Sequence, residues 1–255
     1  MIGSKGRTAT RQWIAVRVVG ALAIPALWTV LSEGHVVPAW ALPQPQAVLA
    51  ALTERSGLLP GDFALTILRA LVGYGIGLGT GITAVLLMGL SVSLRTVTVP
   101  VVEILRPIPA LALAPFAILW FGIGPLAIVS LSAWGVFFVM VIIGLEALRS
   151  VPLIHIRAAQ SLGADQPTVY RSIVLPSLVP SLMGGMRVAL VLAFNLTILQ
   201  EFSVASGGLG DLIMRGYRYL HPAQLLAGVL CVLFAVVVLD LAFIAFRSRF
   251  LSWID

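Results

Sequence analysis

The sequence predicts an all-α polytopic membrane protein with about six transmembrane helices. Hydrophobic residues occupy 60% of its 255 positions and charged residues only 10%, and the mean hydropathy is +1.06. A soluble domain carries roughly 25% charged residues, because water has to hydrate its surface. Six apolar segments approach the roughly 20 residues that a helix needs to cross a bilayer. We therefore expect lipid to cover most of the chain.

The predicted spans leave little of the chain outside the membrane. They cover 13–31, 62–90, 96–119, 124–146, 178–200 and 223–246. One membrane domain, 13–246, is thus flanked by the tails 1–12 and 247–255, and its most informative connection is 149–177. A cleaved signal peptide is the less favoured interpretation of the first span, since its apolar run is long and ends well before a cleavage-like Ala-Trp-Ala at 39–41.

The distribution of positive charge predicts that both termini are cytoplasmic. Cytoplasmic loops carry an excess of Lys and Arg. With the N-terminus inside, nine cations fall on cytoplasmic segments (Lys5, Arg7, Arg11, Arg95, Arg149, Arg157, Arg171, Arg247 and Arg249) and three on outer segments (Arg55, Arg215 and Arg218). These clusters flank apolar runs, so the net charge of +6 indicates membrane orientation rather than nucleic-acid binding. We expect a multi-pass protein of the bacterial inner membrane.

No pattern in the sequence predicts covalent chemistry. Cys231 is the single cysteine, and His35, His155 and His221 are too scattered for a metal motif. The only lysine, Lys5, lacks the spacing of a phosphate-binding loop, so an ATP-driven role would require a separate subunit that holds ATP and Mg. We expect no catalytic residue, metal or cofactor in this chain, and we expect it not to be an enzyme.

The connection between the fourth and fifth spans predicts two short helices. Ser150 can cap the first helix, which has Pro152 in its first turn. Gly163 ends that helix, because glycine tolerates the left-handed conformation. Asp165 then caps a second helix over 166–174.

The first of these helices has a surface suited to docking. Ile154, Ala158 and Leu162 share one face, because they are four residues apart. The small side chain of Ala159 lies beside them and lets another backbone approach closely. The polar residues His155, Arg157, Gln160 and Arg171 form a rim around this face. A plain linker is the alternative, but the pattern favours a partner protein.

The same residues resemble the EAA loop of ABC import permeases. The likeness consists of Arg157-Ala158-Ala159, then Gly163, then Ile173-Val174-Leu175-Pro176. In that family the loop forms a coupling helix that occupies a groove on the ATPase subunit, which implies coupling roles for Ile154, His155, Arg157, Ala158, Ala159, Gln160, Leu162 and Gly163. Arg157 stands where the family's triplet has glutamate.

Further motifs extend this resemblance to the nitrate, sulfonate, taurine and bicarbonate importer branch. They are Leu42-Pro43-Gln44-Pro45, Arg106-Pro107-Ile108-Pro109, Leu119-Trp120-Phe121-Gly122-Ile123-Gly124 and Ser206-Gly207-Gly208-Leu209-Gly210. The resemblance implies a type I ABC importer permease fold with a cytoplasmic coupling helix. It also implies a homodimer, two ATPase subunits and an extracytoplasmic substrate-binding protein.

Ionisable residues within spans are candidates for a translocation path, because burying charge in a membrane is costly. Glu103 and Arg106 are three residues apart on the third span, where they either line the path or, as the favoured alternative, pair with each other. Pro107, Pro109 and Pro115 predict a broken helix beside them, a feature that membrane proteins tolerate around a cavity.

Two more charged residues, Arg69 and Glu201, complete the predicted path. Arg69 either faces the path, snorkels, faces a dimer axis or pairs with an acid. Glu201 either anchors an outer gate or is a solvated acid at a glycine-rich turn. Asp240, in the last span, is expected to be paired within the protein.

A glycine pattern on the second span predicts close helix packing. Gly73, Gly77 and Gly81 are spaced by four residues. Packing within one subunit and packing between two subunits are both consistent with the spacing.

The leading functional hypothesis is a permease subunit of an ATP-driven, binding-protein-dependent importer for a small, anionic solute. An ATP-independent secondary transporter or channel is the alternative. Acidic and histidine relays within the spans would favour that alternative, and they are sparse in this sequence.

Overall fold

Helices account for nearly all of the computed structural model, which describes residues 20, 22–34, 36–204 and 206–250. Their bounds are α1 Leu22–Glu33, α2 Pro45–Glu54, α3 Leu59–Leu90, α4 Val92–Leu105, α5 Ala114–Phe121, α6 Pro125–Ser150, α7 Leu153–Ser161, α8 Gln166–Val169, α9 Leu175–Val204, α10 Leu209–Arg218 and α11 Pro222–Phe250. A 3₁₀ turn at Ala110–Leu113 precedes α5, and a π turn at Tyr170–Val174 joins α8 to α9. The described ranges contain no strand, which confirms the all-α fold class.

The described chain separates into two units. One unit comprises the described residues up to Leu58 together with Ile213–Leu230. In that unit the indole Nε1 of Trp28 donates a 2.9 Å hydrogen bond to the Pro43 carbonyl. The other unit comprises Leu59–Leu212 together with the described residues from Cys231 onward, and it contains all the candidate site residues.

Four helices of the described chain are long and apolar enough to cross a membrane: Leu59–Leu90, Pro125–Ser150, Gln166–Val204 and Pro222–Arg249. A fifth crossing requires α4 and the following segment Ala110–Phe121 to act together, although they meet at an angle of 85°. Of the predicted span 13–31, residues 13–19 and 21 lie outside the described residues, and residues 22–31 belong to the short apolar helix α1. The structure therefore supports four or five of the six predicted spans.

The glycine stripe of α3 packs against α6 in the same chain. A Cβ built on Gly73 would lie 2.6 Å from the Cβ of Ser132, and one on Gly81 would lie 2.8 Å from the Cβ of Met140. Gly75 and Gly79, on another face of α3, would meet no described atom within 4 Å. Of the two interpretations of the stripe, packing within one subunit is thus the one that the structure shows.

The core lies where α3, α6 and α9 meet. Val136 and Met140 of α6 and Leu178 and Ala189 of α9 are fully buried in one cluster. Close packing of apolar side chains is what helices in lipid have to rely on, since lipid is as apolar as the core itself. These three packed helices position the candidate site.

The predicted helix 166–174 does not end at its proline. It continues through the π turn into α9, where the Leu175 amide donates to the Tyr170 carbonyl. Pro176 has no N–H and crowds the carbonyl four residues earlier. Wider hydrogen-bonded turns are a known way to accommodate such a defect without ending the helix, so the prediction of a separate second helix is wrong.

Candidate coupling helix and translocation path

Helix α7 lies on the surface of the described part of the protein. None of its residues is buried. The exposed fractions are 63% for Leu153, 69% for Ile154 and 89% for Leu162. Such apolar exposure on a short polar-flanked helix is typical of a surface that binds a partner.

The start of α7 differs from the prediction. Pro152 occupies the N-cap position, with extended backbone and no side-chain hydrogen bond. Ser150 instead belongs to the end of α6, and its hydroxyl donates 2.8 Å to the carbonyl of Ala147. The predicted Ser150 cap is therefore wrong, because α6 extends four residues beyond the predicted span and takes Ser150 with it.

The end of α7 is fixed as predicted. Gly163 adopts φ +89°, which favours glycine. Its amide donates a 2.9 Å hydrogen bond to the carbonyl of Gln160. The amide of Ala164 donates a 3.0 Å hydrogen bond to the carbonyl of Ala159. These two bonds form a Schellman motif, which satisfies carbonyls that the helix end would leave open.

Asp165 caps α8, as predicted. Its carboxylate Oδ1 accepts a 3.1 Å hydrogen bond from the backbone amide of Thr168. Hydrogen bonds from the side chain and backbone of Thr168 hold the pKa of the Asp165 carboxyl below its usual range. The cap therefore stays ionised at neutral pH and keeps the turn after α7 in place.

The polar rim of α7 is open to solvent in the described chain. His155, Arg157, Ala158 and Gln160 are exposed and Ala159 is half-buried. Ile156, in contrast, packs against the core cluster of α6 and α9. The helix thus packs on the core through Ile156 and presents most of the predicted contact residues outward.

The third predicted span breaks where its prolines predict. Helix α4 ends at Leu105, and the chain turns through Arg106 to Pro109 before the 3₁₀ turn begins. An apolar cavity of about 480 Å³ lies beside this break, lined by Arg106, Trp134, Phe138 and Leu192 among others. Arg106 is thus the predicted path residue that the structure places at a cavity.

Glu103 does not pair with Arg106. Both side chains are exposed, and neither takes part in a salt bridge among the described residues. The favoured prediction of a structural ion pair is therefore wrong. Arg106 is the C-cap that follows Leu105, the last residue of α4, and the chain leaves the helix immediately after it.

Arg69 and Glu201 form a buried ion pair. Arg69 Nη1 donates a 2.8 Å hydrogen bond to Glu201 Oε1. The Arg69 side chain is 8% exposed and the Glu201 side chain is 0% exposed. Arg69 also donates to the carbonyls of Gly207 at 2.9 Å and Ser206 at 3.0 Å. The alternative of a solvated acid at Glu201 is wrong, and the described chain places neither side chain at the cavity of Arg106.

Two more residues of α3 belong to this cluster and were missed by sequence reasoning. The Thr66 hydroxyl donates a 2.9 Å hydrogen bond to the Glu201 carboxylate. It also accepts a 2.9 Å hydrogen bond from the backbone amide of Leu209. Asp62 accepts 3.0 Å from the amide of Gly208. Their spacing relative to Arg69, at three and seven residues, places all three on one face of α3, and that spacing was available in the sequence.

Asp240 is paired, as predicted. Its carboxylate accepts two 2.7 Å hydrogen bonds from Arg187, in a bidentate arrangement between α9 and α11. The side chains are 48% and 28% exposed, for Arg187 and Asp240 respectively. This pair neutralises two charges in apolar helices.

Long apolar helices, a broken helix beside a cavity, and an exposed helix in a long connection are typical of a membrane transport subunit. The chain belongs to the family of binding-protein-dependent transport system inner membrane components, whose pattern matches residues 60–254. It is therefore a multi-pass permease subunit of the inner membrane, part of a binding-protein-dependent ABC importer. An ATP-independent transporter or channel does not fit this membership.

Two relatives match most of the chain. The chain is 30% identical over 244 residues to the taurine transport system permease protein of Escherichia coli (strain K12), covering 92% of this chain and 88% of the relative. It is 31% identical over 216 residues to a protein named for aliphatic sulfonates transport in Bacillus subtilis (strain 168), covering 84% and 78%. The predicted family is thus confirmed.

The fold is shared with a solved importer. An inward-facing structure of the MetNI methionine ABC transporter matches with a TM-score of 0.64 and 20% identity, covering 77% of this chain and 97% of that chain. A second inward-facing form matches with a TM-score of 0.66. These likenesses confirm the predicted type I importer fold.

Proposed function

We propose that helix α7 transmits ATP-driven movement from a separate ATPase to this permease. The exposed apolar residues Leu153, Ile154 and Leu162 support this proposal, since they are costly to leave in water. The Schellman turn at Gly163 and the cap at Asp165 hold the turn after α7 in one conformation. A rigid attachment is what a push on α7 would need in order to move α6 and α9.

The ATP and Mg would be held entirely by that ATPase. The permease would contribute no ligand to the nucleotide and would act by changing between two arrangements of its helices, each favoured by a different state of the ATPase. Arg157, in place of the family's glutamate, would add positive charge to the contact. An acidic side chain of the ATPase is the complementary partner.

The solute proposed for the path is a small organic anion of the sulfonate type, such as taurine. The supporting observation is the cavity of Arg106, where one guanidinium stands in an otherwise apolar wall that includes Trp134 and Phe138. A guanidinium binds oxyanions through paired donors, and the aromatic wall suits a short carbon chain. The relatives named for taurine and aliphatic sulfonates agree with this chemistry.

The working assembly would contain two copies of this chain, two ATPase subunits and an extracytoplasmic substrate-binding protein. Both termini would be cytoplasmic, following the excess of Arg and Lys on that side. The connection between α6 and α9, which includes α7, would then face the cytoplasm.

A charged substitution on α7 tests the coupling proposal. We expect Ala158→Glu to weaken binding of the ATPase by tenfold to a hundredfold, on the order of 1.4–2.7 kcal/mol, because a carboxylate would be buried without a partner. The measurement is co-purification of the intact permease with its ATPase in detergent, followed by a titration. Pro167→Glu is the matched control, since it adds the same charge to the exposed first turn of α8. Equal ATPase binding by both variants would contradict the proposal.

Substitution at the break tests the path. We expect Arg106→Gln to slow taurine uptake by proteoliposomes about tenfold or more, because a charge-assisted hydrogen bond contributes about 1.5–3 kcal/mol. Binding of the ATPase should be unchanged. Glu103→Gln is the control, since Glu103 is one helical turn away but does not line the cavity. Unchanged uptake by Arg106→Gln would exclude Arg106 from the path.

A further inference from the structure

We propose that a second cavity binds the phosphate of an anionic phospholipid headgroup. This cavity lies between the start of α4, the end of α6 and the segment 153–174. The position of this cavity at the cytoplasmic membrane surface rests on the proposed orientation. The cavity has a volume of about 670 Å³ and lies within one unit of the chain. Its lining includes Arg95, Arg149, Thr96 and Gln166.

The cations of this cavity lack acidic partners. Neither Arg95 nor Arg149 forms a salt bridge among the described residues, and no acidic side chain lines the cavity. Glu146 lies one helical turn before Arg149 on α6, yet the two form no ion pair. Arg95 is half-buried, so its charge is only partly screened by water. Two uncompensated guanidinium groups at one cavity favour an anion.

The start of α4 strengthens this preference. Ser91 caps the helix by accepting a 3.2 Å hydrogen bond from the amide of Leu94, and Arg95 is the fourth residue of the helix. The N-terminal end of a helix is the positive end of its dipole, so a cation there is unfavourable on its own. A bound anion would relieve that repulsion and also neutralise Arg149.

The remaining wall is apolar and suits a lipid rather than a free ion. Val99, Leu148, Ile156 and Val169 line the same cavity as the arginines. A phosphate accompanied by glycerol and acyl carbons would contact both kinds of surface, whereas inorganic phosphate would leave the apolar wall open. Basic pockets between transmembrane helices on the cytoplasmic side are known to bind anionic headgroups.

A lipid bound in the cavity would contact helix α7. Leu153 and Ile156 belong to α7, and both line the cavity. Ile156 is also the side chain that attaches α7 to the core. A bound headgroup would therefore brace α7 against α4 and α6, and anionic lipid would increase the fraction of ATPase turnover that produces transport.

Native mass spectrometry of the delipidated permease–ATPase complex tests the proposal. The added probes are phosphatidylglycerol, phosphatidylcholine and inorganic phosphate. We expect phosphatidylglycerol to be retained in preference to phosphatidylcholine, with retention falling as ionic strength rises. Equal retention of the two lipids would overturn the proposal. Displacement by millimolar inorganic phosphate without lipid preference would also overturn it, in favour of a free phosphate site.

Paired variants complete the test. The double variant Arg95→Gln/Arg149→Gln should bind phosphatidylglycerol about 30-fold more weakly, since each surface arginine contributes on the order of fivefold. Arg249→Gln is the control, because Arg249 is exposed near the end of α11 and does not line the cavity. Unchanged lipid binding by the double variant would overturn the proposal. Co-purification of the ATPase with the double variant is read separately, so failure of the lipid site and failure of the coupling proposal are distinguishable.

Discussion

Glu201→Gln is expected to lower the free energy of unfolding by about 3–5 kcal/mol, because it leaves the Arg69 guanidinium buried without its counter-charge. Glu201 is 0% exposed and Arg69 is 7% exposed. The carboxylate accepts from Arg69 and Thr66, and from the amide of Gly210 at 2.9 Å. A glutamine amide cannot accept with both of its terminal atoms, so at least one of these donors would be left unpaired.

The measurement is thermal unfolding of the detergent-purified protein. By the scaling of soluble proteins of this size, the loss corresponds to a decrease in Tm of roughly 10 °C. The double variant Arg69→Met/Glu201→Met removes the uncompensated charge but leaves the carbonyls of Ser206 and Gly207 and the amide of Gly210 without partners, so we expect it to recover only part of the loss. A Tm of Glu201→Gln within a degree or two of the parent would show that the pair does not stabilise this fold.

A second ion pair provides the matched control. Asp240→Asn removes one partner of the pair with Arg187, whose side chain is 48% exposed. Arg187 is accessible enough to extend its guanidinium toward the membrane interface when its partner is lost, whereas Arg69 is enclosed by protein. We expect a clearly smaller decrease in Tm for Asp240→Asn than for Glu201→Gln. Equal decreases would indicate that burial does not distinguish the two pairs.

The buried cluster also explains the shape of the segment after α9. Gly208 adopts φ +102°, a conformation that favours glycine, and its amide donates to Asp62. The carbonyls of Ser206 and Gly207 accept from Arg69. The charged groups of α3 and α9 therefore hold the glycine-rich segment in one conformation. The geometry supports this positioning role for Arg69 and Glu201, and their path role stays a prediction.

Gly77→Leu is expected to destabilise the protein by about 3 kcal/mol or more, at the upper end of the range for overpacked cores. Close approach of α3 to α6 leaves no room at this position. A Cβ on Gly77 would lie 2.6 Å from the Cβ of Val136, and it would also meet the backbone carbonyl of Ala133. Backbone atoms cannot rotate away as a side chain can, so the two helices would have to separate.

The control for this substitution is Gly79→Leu on the same helix. A Cβ on Gly79 would meet no described atom within 4 Å. We expect Gly79→Leu to leave the Tm of the single chain nearly unchanged, while Gly77→Leu lowers the yield of folded protein and the Tm. Equal behaviour of the two variants in size-exclusion chromatography and thermal unfolding would contradict the observed packing of α3 on α6.

Local features of the chain were predictable because they depend on neighbours in sequence. The prolines at 107 and 109 predicted the break after α4, since proline lacks an amide donor and restricts the residue before it. Gly163 and Asp165 predicted the turn after α7 for similarly local reasons. The prediction that Ser150 caps α7 was wrong because α6 extends through Ser150. The length of a long apolar helix depends on its packing rather than on one capping residue.

The sequence by itself determined that this protein resides in a membrane, that a capped helix lies between two spans, and that its motifs belong to import permeases. Composition and short-range spacing contain that information. Only the tertiary structure decided the charge pairs: Arg69 joins Glu201 across 132 residues of sequence, whereas Glu103 and Arg106, three residues apart, do not join at all. The physical reason is that an ion pair depends on how helices pack and rotate against each other. That rotation is set by contacts such as those of Gly77 with α6, and the glycine spacing predicted close packing there without specifying the partner helix.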